Sequence, residues 1–207
     1  ITTPHYKKNF EDLLGDGSAI GIKLTFLTQK KPAGIADAFI ISEKYIKNET
    51  VCLILGDNIF YGFDFKKLNL SNIDGGCIFT YDVPDPDRYG VLELKNNKII
   101  SIKEKPKNPK SNKAITGIYF FDKNVTNIAK KLKPSKRKEL EITDIIKYYL
   151  SIKKLSFYHL GVGSVWLDAG TSTSLIQASQ FVQTIQERQN IQIGSPEQIS
   201  LNNKWIS

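Results

Sequence analysis

Val51-Cys52-Leu53-Ile54-Leu55 is a short, unbroken apolar run that stops at Gly56-Asp57-Asn58. A strand with one wet face alternates apolar and polar residues. A continuous run of this length is instead the pattern of a strand covered on both faces, as in the parallel sheets of α/β proteins. Open α/β sheets bind ligands just beyond the carboxyl ends of such strands. The run therefore predicts an architecture and draws attention to Asp57, the first charged residue past its end.

The rest of the chain supplies partners for that strand. Helical spacing of Tyr6, Phe10, Leu13 and Leu14 predicts a helix over 1–16, closed by a turn at Gly15-Asp16-Gly17. Strands are expected over 22–27, 76–83, 115–121, 155–160 and 165–167, and helices over 34–46, 124–132, 141–150 and 171–189. Residues 89–94 and 99–104 read as a hairpin around Asn96-Asn97. Leu175, Ala178, Phe181, Val182 and Ile185 form the apolar stripe of the last helix. Strands alternating with helices, with hairpins inserted, predict an α/β fold built on an open mixed sheet. One domain over 1–190 is expected, followed by the start of a truncated C-terminal element over 191–207.

Composition narrows the function classes. With 41% hydrophobic and 24% charged residues the chain is globular rather than disordered. Its net charge of +8 suits an anionic partner. The lysines are scattered in mixed runs such as Lys103-Glu104-Lys105-Pro106-Lys107, with no aromatic RNA-binding motif, zinc finger or heptad repeat beside them. This favours a phosphorylated small molecule over nucleic acid. Cys52 and Cys77 both lie in apolar runs and are expected to be buried strand thiols in a reducing compartment. With no CxxC, and only His5 and His159, a zinc site or a Cys/His catalytic pair is not expected. No apolar stretch approaches the ~18 residues of a membrane span, and no signal-peptide pattern is visible. The chain begins at Ile1 and contains no Met, so it is expected to be part of a longer protein.

Several residues have the chemistry to build a site. Asp57 and Asp168 each follow an apolar strand, and two such carboxylates could share one Mg²⁺, a hard ion that takes oxygen ligands and keeps room for phosphates. Either could equally cap a turn or helix. Lys105, after Glu104 at a predicted strand end, is a point charge that could face a phosphate, although solvated charge runs are common. Arg137 offers the same choice between a phosphate clamp and a surface charge. Glu139, Glu141 and Asp144 are expected to serve the start of the next helix. Gly161-Val162-Gly163 lacks a full phosphate-loop fingerprint and reads as a turn.

These signals fall into a known order. Leu14-Gly15-Asp16-Gly17-Ser18, Gln29-Lys30-Lys31-Pro32-Ala33-Gly34-Ile35-Ala36, Leu55-Gly56-Asp57-Asn58-Ile59-Phe60-Tyr61-Gly62 and Asp87-Arg88-Tyr89-Gly90-Val91 come first. Glu104-Lys105-Pro106, Thr116-Gly117-Ile118-Tyr119, Glu139-Leu140-Glu141-Ile142-Thr143-Asp144 and Trp166-Leu167-Asp168-Ala169-Gly170 follow. The series closely resembles the bacterial glucose-1-phosphate thymidylyltransferases, over essentially the whole chain. The resemblance implies a Rossmann-like nucleotidyltransferase sheet with helices on both faces, and a reaction of dTTP with glucose-1-phosphate giving dTDP-glucose and pyrophosphate. It implies Mg²⁺ on Asp57 and Asp168, base contacts from Gln29 and Gly34, and a sugar pocket lined by Tyr89, Gly90, Glu104 and Thr116. Lys105 and Arg137 fall where the family holds the sugar phosphate. A cytoplasmic homotetramer in deoxysugar and polysaccharide synthesis, subject to feedback inhibition, is also implied.

The departures are specific. The family's first strand and its G-G-x-G-T-R-L loop are not among these residues, so the 207-residue chain by itself is expected to be inactive or nearly so. Ala33 stands where Asp is common, Ala169 where Thr is common, Lys103 where an acid is common, and Phe63 where the family has His near its regulatory site. The alternatives are a UTP- or CTP-using enzyme of the same fold, a non-catalytic sugar-nucleotide-binding protein, and a metal-dependent glycosyltransferase. The last would need a D-x-D motif that Gly56-Asp57-Asn58 does not supply.

Overall fold

The structure is a computed structural model describing all 207 residues. Its helices are α1 (Lys7–Leu14), α2 (Asp37–Ile41), α3 (Glu43–Ile46), α4 (Val125–Ala129), α5 (Ile142–Ser151), α6 (Ser172–Gln189) and α7 (Pro196–Asn202). Its strands are β1 (Val51–Ile54), β2 (Asn58–Tyr61), β3 (Gly76–Asp82), β4 (Gly90–Lys95), β5 (Lys98–Glu104), β6 (Lys113–Phe121), β7 (Leu155–His159) and β8 (Val165–Asp168). The chain divides into two units, residues 33–170 and residues 1–32 with 171–207.

The larger unit is built around β3 and β6. A six-stranded sheet runs in the order β5-β4-β6-β3-β7, with β1 also pairing β6. All its pairs are antiparallel except β3–β7, so the sheet is mixed, as expected. Alternation on β6 sends Ile115, Tyr119 and Phe121 to one face and Ala114 and Ile118 to the other. The first face packs under Phe39 of α2, Val125, Ile128 and Ala129 of α4, and Ile142, Ile145, Ile146 and Tyr149 of α5. The second gathers Cys77, Phe79, Leu70, Leu160 and Trp166. Each large apolar side chain buried in this way contributes about 1.5–3 kcal/mol. A separate antiparallel ribbon pairs β2 with β8, with Asn58 opposite Asp168.

In the smaller unit Thr171 caps α6 in a reciprocal capping box with Ser174, and Asn190, left-handed at φ 52°, ends the helix. Residues 191–207 belong to this unit, where Ser200 Oγ of α7 donates to the Ile20 carbonyl at 2.7 Å.

Three expectations about local structure are corrected. First, β1 pairs antiparallel with β6 rather than in parallel, and its burial alternates, with Cys52 and Ile54 exposed. The strands buried on both faces are β3, which carries the buried Cys77, and β6. An unbroken apolar run does not say which of its faces finds a partner. Second, residues 22–27 form no strand; the nearest ladder contact is an isolated Thr2–Thr28 bridge. Third, the helix over 34–46 is two short helices. Ser42 separates them, its Oγ donating back to the Ala38 carbonyl at 2.6 Å in competition with the helical ladder. The β4–β5 hairpin forms as read, with Asn96 and Asn97 both at positive φ as a tight two-residue turn requires.

Candidate active site

The mouth of the larger unit's sheet is a cavity of about 280 Å³ where several chain segments converge. The β1–β2 connection contributes Asp57 and Asn58, and the start of β4 contributes Tyr89 and Gly90. The end of β5 contributes Glu104 and Lys105, and β6 contributes Ile115, Gly117 and Tyr119. Arg137, Glu139, Glu141 and Thr143 approach from the loop before α5 and its first turn, and Trp166 and Asp168 from β8.

Asp57 and Asp168 come together although 111 positions separate them in the sequence. A Cβ built on Gly170 would stand 3.0 Å from Asp168 Oδ1 and 3.3 Å from Asp57 Oδ2. A single small atom can therefore touch both carboxylates in a place that a side chain at 170 would fill. Asn58 organises this corner. Its Nδ2 donates to Asp57 Oδ1 at 2.7 Å, while its Oδ1 accepts from Trp166 Nε1 at 2.6 Å and from the Gly117 amide at 2.9 Å.

The β4–β5 end forms a second wall. Gly90 lies opposite Glu104, and a Cβ at Gly90 would be 3.6 Å from the Glu104 carboxylate, so the glycine keeps that carboxylate reachable. Thr143 Oγ1 donates to that same carboxylate oxygen, Glu104 Oε2. Lys105 adopts a left-handed φ of 41°, uncommon for a residue with a side chain, and its amide donates to the Tyr89 carbonyl at 3.0 Å. Burial pushes the Tyr89 phenol up to about 12, with the hydrogen-bonded Asp168 charge acting the same way and Arg88 opposing, so the phenol is a proton donor at neutral pH. Burial likewise raises Tyr119, helped by the charges of Glu104 and Asp57.

Arg137 is the cation among acids. Its Nε and Nη2 bind both oxygens of Glu141 at 3.2 and 2.7 Å, and Nη2 lies 3.4 Å from Glu139 and 3.8 Å from Glu104. Burial acts to raise the Glu141 carboxyl, but hydrogen bonds from Arg137 and Ser135 and the guanidinium charge outweigh it and hold the group below the usual carboxylate range. Glu141 is thus an Arg137 clamp. It is the N-cap residue of α5 but makes no side-chain cap bond, and Asp144 pairs with Lys147.

Three further residues named from the sequence are placed elsewhere. Thr116 is fully buried and its Oγ1 donates to the Phe79 carbonyl, so its side chain lies on the opposite face of β6 from the cavity. Ile115 and Gly117 line the cavity in its place. Gly34 has φ 96°, and a Cβ there would be 2.6 Å from the Leu140 amide and closer still to its carbonyl oxygen. That approach alone demands glycine. Gln29 belongs to the smaller unit, where its amide donates to the Thr2 carbonyl at 2.9 Å. Sequence reasoning missed Asn58, Arg88, Glu141 and Thr143. The i,i+4 spacing of Arg137 and Glu141 was the one available signal for these.

No helix is long and apolar enough to cross a membrane. No group of three or more His, Cys, Asp or Glu side chains is placed to hold a metal. The two aspartates instead offer the partial oxygen set that a phosphate-bound Mg²⁺ uses.

Comparison with known proteins places the chain in a family. A family model described as nucleotidyl transferase matches residues 1–185. The glucose-1-phosphate thymidylyltransferase of Neisseria meningitidis serogroup A is 47% identical over 211 aligned residues, covering 100% of this chain and 73% of its own. That of Mycolicibacterium smegmatis is 46% identical, covering 97% of this chain and 70% of its own. A Bacillus anthracis crystal structure assigned to glucose-1-phosphate thymidylyltransferase, in complex with a sucrose, superposes with a TM-score of 0.80 at 36% identity. It covers 95% of this chain and 77% of that one. A UDP-glucose pyrophosphorylase at 23% identity shares the fold, with a TM-score of 0.68. The chain belongs to the nucleotidyl transferase family, a family of enzymes. Within that family it stands with the glucose-1-phosphate thymidylyltransferases.

Proposed function

We propose that the protein joins a thymidylyl group from dTTP to glucose-1-phosphate, releasing pyrophosphate and forming dTDP-glucose. The observation that carries this reading is the meeting, in one cavity, of a carboxylate pair, a Gly90–Glu104 edge suited to sugar hydroxyls, and the cations Lys105 and Arg137 beside Arg88. Glu104 accepts hydrogen bonds from a hexose, Thr143 fixes the direction of its carboxylate, and Gly90 leaves the ring room to approach. Lys105 and Arg137 hold the sugar phosphate against a second anion that would otherwise repel it. Glu141 keeps the Arg137 fork in place through Nε and Nη2.

Asp57 and Asp168 are the residues that would hold Mg²⁺. When bound, the ion supplies charge that neutralises and aligns phosphate oxygens. Attack by a sugar-phosphate oxygen on the α-phosphorus, with pyrophosphate leaving, then depends mainly on positioning by the side chains above. Gln29 and Gly34 are the proposed base contacts, and Gln29 carries both a donor and an acceptor for a pyrimidine edge. The 207 residues contain no Gly-rich phosphate loop, and by themselves they are expected to turn over little or nothing.

The test is pyrophosphate release by the full gene product with glucose-1-phosphate and each of dTTP, UTP and CTP. Preference for dTTP supports the reading. Preference for UTP or CTP keeps the mechanism and changes the base, and no release with any nucleotide overturns the reading.

A further inference from the structure

Asp168 already has a cation. Its Oδ1 accepts from the Gly170 amide at 2.9 Å, and its Oδ2 faces Arg88 Nη2 at 3.4 Å. Arg88 is itself held: Nη1 donates to Asp85 Oδ2 at 2.8 Å across the 3-10 turn Pro86–Arg88, and the guanidinium lies 5.3 Å from the centroid of the Tyr89 ring. The two carboxylates that one small atom can touch are like charges, and such a pair is unfavourable without a counter-charge. Arg88 supplies that charge in a geometry fixed from its other side by Asp85.

We propose that Arg88 is a resident counter-ion for Asp168, a positioning residue that occupies one of its oxygens in the free protein and gives it up when a divalent cation binds there. The inference rests on the reading of Asp57 and Asp168 as the metal pair. Guanidinium is charged at every working pH, so its attraction for Asp168 does not titrate away. Its positive charge also opposes a divalent ion arriving alone. An ion arriving with phosphates brings oxygens that give the guanidinium a replacement partner, since arginine binds phosphate bidentately. Arg88 thereby makes the cation site dependent on an anionic ligand. It lies next in sequence to Tyr89, so the same turn links the β4 wall of the cavity to the carboxylate pair.

The test is direct binding of Mn²⁺, a paramagnetic stand-in for Mg²⁺, to the full gene product, followed by electron paramagnetic resonance without nucleotide. Arg88→Met is expected to bind Mn²⁺ about tenfold more tightly than the unmodified chain, because a like charge a few ångströms away has been removed. Arg88→Lys keeps the charge and should stay near the parent value. The gain in Arg88→Met should shrink with added salt and vanish when Asp168→Asn is combined with it. Arg88 is exposed enough for these variants to fold, and equal melting temperatures would establish that they do. Unchanged or weaker Mn²⁺ binding in Arg88→Met, with Asp168→Asn still weakening the parent, would overturn the role of Arg88 alone. Parent-like binding in both Asp57→Asn and Asp168→Asn would overturn the metal-pair reading beneath it.

Discussion

Gly117→Ala puts one methyl group into the most tightly arranged part of the site. A Cβ at 117 would stand 2.5 Å from Asn58 Cγ and 2.8 Å from its Nδ2, closer than real Cβ atoms approach their neighbours. Two responses are open. The Asn58 amide can swing away, losing its bonds to Asp57, Trp166 and the Gly117 amide, at about 1 kcal/mol each and ~3 kcal/mol together. Alternatively β6 can shift, which as overpacking costs ~1–3 kcal/mol. Gly117→Ala should lose about 1–3 kcal/mol in urea denaturation, whichever route is taken, seen as a lower midpoint at an unchanged slope. Asn58→Ala removes the obstacle, so the same glycine change in that background should cost under ~1 kcal/mol, a coupling typical of residues in contact. A loss within about 0.5 kcal/mol of zero for Gly117→Ala, or strict additivity with Asn58→Ala, would refute the reasoning.

Two further perturbations test other parts of the account. Glu141 has its folded-state pKa below the usual 4.5, so its pairing with Arg137 stabilises the fold above that value and is lost as pH falls through the depressed one. The stability gap between the parent and Glu141→Gln should therefore be constant near neutrality and close below pH 4.5; a gap that widens in acid contradicts the assignment. Thr171→Ala removes the side-chain oxygen that accepts from the Ser174 amide and should cost about 1 kcal/mol, with Thr171→Ser retaining most of it; a neutral alanine variant would show that the cap contributes nothing.

The parts of the site that were legible in the sequence are those announced by strand ends. Asp57 follows β1 and Asp168 ends β8, so a reading of apolar runs finds them, while Glu104, at the end of β5, and Tyr89, just before β4, come from the family resemblance alone. Thr116, also taken from the resemblance, shows the limit of a motif match. Side chains alternate along a strand, so a position off by one falls on the wrong face, and the cavity takes Ile115 and Gly117 while Thr116 turns to Phe79. Asn58 and Arg88 were beyond reach for a different reason. Their roles exist only through contacts with Trp166, Gly117 and Asp168, which the fold brings close and no local spacing encodes. The apolar run at β1 was recognised as a strand, but its direction and its exposed Cys52 depended on the neighbour the fold gives it.

On the proposed reading, this cavity performs nucleotidyl transfer through the Asp57–Asp168 pair. The most direct measurement is pyrophosphate release by the full gene product from dTTP and glucose-1-phosphate with Mg²⁺, run in parallel on Asp57→Ala and Asp168→Ala. The account predicts release that requires both substrates and the ion, and that collapses in each variant while the fold is retained. Undiminished release from either folded variant would contradict it.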